Sequence, residues 1–106
     1  MGYMAYCDGK IEFHQEEKAR EFVSFYHRRS GFDFYNHAWD TSVVVGGFSN
    51  YHENFWTELL EQNKDLISLG LVEFKGEDRN MWRFVICNGE WQKEYGHIVW
   101  TKSKND

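Results

Sequence analysis

His52-Glu53 opens like the helical metalloprotease motif, in which two His residues four apart on one helix face hold zinc beside a catalytic Glu. Asn54-Phe55-Trp56 follows, so the second ligand is missing. Glu53 is better explained as the partner of an Asn50 N-cap, three residues on, in a variant of the capping box. His14, His27, His37 and His97 are scattered singly and form no ligand pair with zinc spacing. A nucleophilic Cys needs a nearby His and a lowered thiol pKa. Cys7 and Cys87 read more simply as small strand residues, and no Ser sits in a nucleophile-elbow context. We expect no catalytic residues, no metal and no cofactor.

Gly46-Gly47-Phe48-Ser49-Asn50 offers a different chemistry. A glycine-rich passage from strand to helix can present backbone N–H groups and a helix N-terminus to an anion. Gly46, Gly47, Ser49 and Asn50 are therefore the candidate residues for a small anionic ligand or a nucleotide. The P-loop Lys and its full spacing are absent, and a bulge followed by a helix cap is the simpler role. Asp33, Asp40, Glu73, Glu77 and Asp78 are expected in loops or near strand ends. There they are solvated charge unless two converge as acid and base, or unless a basic partner meets them.

The aromatic residues carry the leading expectation. Phe, Tyr and Trp make up 19% of the 106 residues, Pro is absent, and the net charge is −5. Rings on this scale exceed what a two-layer domain needs inside, and surplus exposed rings mark binding faces. A sheet that displays rings can stack single-stranded bases, but such platforms carry basic residues, and the acidic balance opposes direct nucleic-acid binding. Trp and Tyr are instead favoured anchors between proteins. The expected partner is another protein with a basic surface. The candidate contacts are Trp39, Asp40, Glu77, Asp78, Trp91 and Tyr95. Size, acidity and the lack of catalytic spacing fit a non-enzymatic inhibitor that occupies a basic nucleic-acid-binding groove, the profile of a phage or mobile-element anti-defence protein. Homodimerisation through an exposed edge strand is a further expectation.

The elements that must position these residues follow from turn and periodicity signals. Asp8-Gly9 predicts a hairpin over 3–13, with Met4, Tyr6, Ile11 and Phe13 on one face. Ala19, Phe22, Val23 and Tyr26 predict a helix over 15–29, with acids at its start, bases at its end and Gly31 as its stop. Phe32–Trp39 partly alternates, as an edge strand or an ordered loop. Val43-Val44-Val45 suits a strand buried on both faces, with a bulge at Gly46-Gly47. A second helix is predicted over 51–69, ended by Gly70. Strands over 71–75 and 81–87 follow, and Asn88-Gly89 turns the latter back. That turn pairs Ile86 with Trp91, Phe84 with Lys93, Trp82 with Tyr95, Val85 with Gln92, and Arg83 with Glu94. Ile98 and Trp100 extend the last strand, and 102–106 forms a frayed tail.

The central order, β-α-β-β-α-β, is topologically similar to the split βαβ pattern of ferredoxin-like domains. The expected fold is a single α+β domain over 1–106. It is a two-layer sandwich with a mainly antiparallel sheet, two helices on one face, and extra N- and C-terminal hairpins. No apolar run has membrane-spanning length. The N-terminus lacks the features of a secretory signal, and Met1-Gly2 lacks the Ser or Thr of a myristoylation signal. With two reduced cysteines, a cytoplasmic location is expected.

Overall fold

Alternating burial along six strands shows how the chain divides inside from outside. The computed structural model describes residues 3–97. In chain order these form β1 (Tyr3–Phe13), α1 (Glu16–Ser30), β2 (Asp33–Tyr35), β3 (Ser42–Tyr51), α2 (Glu53–Asn63), a 3-10 turn (Lys64–Leu66), β4 (Ile67–Gly76), β5 (Asn80–Cys87) and β6 (Glu90–His97). The strands make one six-stranded sheet in the order β2-β3-β1-β4-β5-β6. Every neighbouring pair is antiparallel. The proposed extension by Ile98 and Trp100 and the 102–106 tail lie outside the described residues.

The expected N-terminal hairpin is replaced by a single strand. β1 runs unbroken through Asp8-Gly9 and pairs with β3 on one side and β4 on the other. Gly9 is there for space rather than for a turn. A Cβ at this position would lie 2.6 Å from the Leu71 carbonyl oxygen and 2.7 Å from Val72 Cα. Glycine within a strand often marks such a close backbone approach. The straight course also divides the expected apolar face. Ile11 and Phe13 point into the core, whereas Tyr6 points outward and is 60% exposed.

α1 follows its expected bounds within one residue. Glu16 and Glu17 lie in its first turn, His27, Arg28 and Arg29 in its last, and Gly31 closes it at φ 78°. α2 ends earlier than its apolar spacing implies. The helix stops at Asn63, and Ile67 already belongs to β4, so Gly70 is a strand residue opposite Ile11 and Ile86. Pairing on both edges of β4 outweighs the local helical period. Val43 and Val45 are buried but Val44 is exposed, which makes β3 a half-buried strand. The β5–β6 hairpin has each of the five predicted pairs, with Asn88 and Gly89 both at positive φ.

Both helices cover the same sheet face. Phe22 of α1 meets Phe13 and Phe34, and Trp56 of α2 meets Phe34 and Phe74, all inward-pointing strand residues. The buried apolar side chains join in a single core cluster. Among the described residues, no helix covers the opposite sheet face.

Candidate functional site

The uncovered face is ordered in rows across the strands. In one row, Tyr35, Val44, Lys10, Leu71, Val85 and Gln92 are successive cross-strand neighbours. Four residues further along lie Phe48, Tyr6, Lys75, Met81 and Gly96. Tyr35, Val44, Leu71, Phe48 and Tyr6 are all exposed, and the Tyr6 and Phe48 rings lie 4.4 Å apart. Between these rows runs a third: Asp33, Gly46, Asp8, Glu73, Arg83 and Glu94. It holds four carboxylates and one cation. Arg83 bonds Glu94 at 2.6 Å and lies 3.8 Å from Glu73. Asp8 faces Glu73 directly across β1 and β4, and like charges so placed destabilise a sheet.

A second concavity lies on the helix side, where the sheet extends past the start of α2. It is a groove of about 480 Å³ whose walls include Tyr3, Tyr51, Trp82, Lys93, Tyr95 and Asp78. The Tyr51 and Trp82 ring centroids are 4.7 Å apart, and those of Tyr3 and Trp82 are 5.8 Å apart. Lys93 Nζ lies 4.6 Å from the centre of the Tyr95 ring and bonds Glu53 at 2.6 Å. Tyr95 is 77% exposed.

Charge in this groove is held by phenols. The Tyr3 hydroxyl donates to Asp78, which also accepts from the Asn80 backbone N–H and side-chain amide. These bonds, the phenol's foremost, hold the Asp78 carboxyl below its usual range. Partial desolvation, followed by the Asp78 bond and charge, pushes the Tyr3 phenol up to about 12. Burial works against ionised Glu53, but bonds from Lys93 and Tyr51 outweigh it and keep that carboxyl low. A depressed carboxylate stabilises the fold above its unfolded pKa, near 4.3 for Glu, and the gain is lost as pH falls through the folded value. Glu53→Gln is therefore expected to narrow the difference in urea midpoint between pH 7 and pH 3. An unchanged difference would show that the Glu53–Lys93 contact adds nothing to the acid response.

The six partner contacts expected from sequence divide into three places. Asp78 and Tyr95 both line the groove, with Glu77 in the adjoining turn. Trp39 and Asp40 lie beyond β2, in a turn closed by the Asp40 N–H on the His37 carbonyl. Trp39 adopts φ 69°, a left-handed conformation that a bulky residue rarely takes, and its ring is 81% exposed. Asp40 is occupied locally, accepting from the Ser42 N–H. Trp91 is not a free anchor, because its ring packs against Phe84 and its indole N–H donates to Glu61 at 3.0 Å. Trp82, the cross-strand neighbour of Tyr95, is buried in the core.

The anion-binding alternative loses its geometry. Gly46, Gly47, Ser49 and Asn50 all lie within β3, which continues to Tyr51. The strand-to-helix junction is at His52, so Asn50 caps nothing, and Glu53 bonds Tyr51 and Lys93 instead of completing a box. The Asp33 carboxylate stands beside Gly47, where it would repel an anion. Among groups that could do chemistry, Cys7 is buried, and burial pushes its thiol well above the usual range. Cys87 is exposed on β5. His27 Nδ1 accepts the Phe34 N–H. Among the described residues, no group of three or more His, Cys, Asp or Glu is placed to hold a metal ion. No described helix is long and apolar enough to cross a membrane.

Sequence reasoning missed the carboxylate row and the groove's phenols for one reason. Folding 3–13 into a hairpin removes Asp8 from the sheet interior and Tyr3 from the neighbourhood of Trp82. The signal that corrects it is the alternation Ala5, Cys7, Gly9, Ile11 and Phe13, which continues straight through the supposed turn.

No protein-family model matches the chain, and no curated protein or solved structure matches it significantly.

Proposed function

We propose that this chain is a small acidic binding module, without catalytic activity, that docks its uncovered sheet face on a basic surface of another protein. The supporting observation is the carboxylate row between two rows of exposed apolar side chains. Asp8 opposite Glu73 weakens the sheet that contains it, and Arg83 compensates only one side of that pair. A partner that supplies cations along the row would relieve the repulsion, while Tyr6, Phe48, Val44 and Leu71 bury apolar area. Rows of this spacing suit a protein that carries Lys and Arg at intervals, including one whose basic groove normally holds nucleic acid. Occupying such a groove would make the module an inhibitor, in the manner of anti-defence proteins. Face-to-face homodimers fit less well, since each copy carries the same acidic band and a net charge of −5. The strand order β2-β3-β1-β4, with α1 and α2 as crossovers, supports a ferredoxin-like sandwich extended by the β5–β6 hairpin. Two free thiols support a reducing, cytoplasmic setting.

Affinity capture from the source cell, followed by titration of the captured protein, tests the docking face. Tyr6→Ala with Phe48→Ala, and separately Asp8→Lys with Glu73→Lys, are each expected to raise Kd by at least about tenfold, equivalent to about 1.4 kcal/mol. Added salt should weaken the wild-type complex. Nucleic acid should compete if the target surface is a nucleic-acid groove. An acidic partner, or one that binds both double variants as tightly as wild type, overturns the reading.

A further inference from the structure

The helix-side groove differs from the uncovered face in its chemistry. Its cation, Lys93, is already bonded to Glu53 at 2.6 Å. Its other carboxylate, Asp78, accepts three hydrogen bonds from neutral donors. Yet among the described residues no Lys, Arg or His nitrogen lies within ion-pair distance of it. Arg79 follows Asp78 in the chain and still makes no such pair. The groove thus carries one net negative charge.

Its walls are flat. Tyr3, Tyr51 and Trp82 form a contiguous aromatic floor, and Tyr95 stands beside it with most of its ring in solvent. A planar cation fits these two features together. Guanidinium stacks on aromatic faces and forks its N–H donors onto a carboxylate, whereas an ammonium is compact and more strongly hydrated. The groove and the uncovered face adjoin: a smaller outer cleft shares Met81, Trp82, Tyr95 and Gly96 with it.

We propose that the groove seats one arginine side chain of the protein partner, with its guanidinium on the Asp78 carboxylate and against the Tyr95 ring. This rests on the reading of a basic protein partner for the molecule that carries the arginine. The groove itself is testable without that partner.

The probe is Nα-acetyl-arginine amide, titrated into the intact ¹⁵N-labelled protein, with Nα-acetyl-citrulline amide as the neutral analogue of the same shape. The buried Trp82 indole N–H and the Gly96 amide serve as reporters. The arginine derivative is expected to shift both with a Kd of roughly millimolar order, as befits a single side chain. The citrulline derivative should bind at least about fivefold more weakly. Asp78→Asn and Tyr95→Ala should each weaken arginine binding about fivefold or more, with the remaining spectrum intact. Asp8→Lys with Glu73→Lys should leave it within twofold. Equal binding of citrulline, no shift at Trp82 and Gly96, or full affinity in Asp78→Asn overturns the assignment. Tight partner binding in Asp78→Asn would also sink the groove while leaving the sheet-face reading intact. Arginine binding without any effect of sheet-face variants on the partner would do the reverse.

Discussion

Trp56→Ala is expected to cost about 3–5 kcal/mol, the largest loss available from one core truncation in this protein. The indole is 1% exposed and sits where the two layers meet. Its neighbours are Phe74 at 4.9 Å, Phe34 and Phe55 at 5.8 Å and Phe32 at 5.9 Å between ring centroids. Four rigid rings cannot collapse into the space, so the cavity penalty adds to the lost transfer free energy. For a domain of this size the loss corresponds to a fall in Tm of roughly 15–25 °C. Thermal melts followed by circular dichroism read it directly. Trp39→Ala is the control, because an exposed ring outside the core should change stability by no more than about 0.5 kcal/mol. Similar Tm values for the two variants would show that the aromatic core is misplaced.

Gly9→Ala should be nearly as damaging, although it adds a single methyl group. That methyl would meet the Leu71 carbonyl oxygen and Val72 Cα, both backbone atoms that cannot rotate away. β1 lies between β3 and β4, so separating it from β4 loosens the centre of the sheet. We expect a loss of about 3 kcal/mol, at the upper end for overpacking. Gly96→Ala provides the comparison: among the described residues a Cβ there meets nothing within 4 Å, and the change should be neutral or mildly stabilising. Urea midpoints of the two variants decide the matter, and coincidence would mean that β1 and β4 do not approach closely at Gly9.

Local signals succeeded where one short segment carries its own constraint. Asn88-Gly89 can adopt positive φ at both positions, so the turn and the five pairs behind it follow with little help from the rest of the chain. α1 is similar, with charges matched to its ends and a left-handed Gly31 stop. They failed where a residue type serves two purposes. Asp8-Gly9 has the composition of a turn, but its glycine relieves a contact with a strand more than sixty residues away. Leu66 and Ile67 continue the apolar spacing of α2, yet pairing with Phe13 of β1 recruits Ile67 into the sheet.

The candidate surfaces show the same division. Asp78 and Tyr95 were both nameable as contacts from type and local setting. Their convergence required the β4–β5 turn and the β6 register to bring positions 17 apart in sequence to one groove. The carboxylate row is a property of register alone, since Asp33, Asp8, Glu73 and Glu94 belong to four different strands.

Residue content alone therefore specified an aromatic, acidic α+β chain, its first helix and its last hairpin, because those depend on periodicity, charge and turn chemistry within about fifteen neighbouring residues. Long-range strand pairing assigned everything else: the unbroken first strand, the sheet face without helices among the described residues, and which rings are exposed and which are core. Side chains alternate across a strand, so a single misassigned turn exchanges inside for outside, and only contacts distant in sequence can determine which is right.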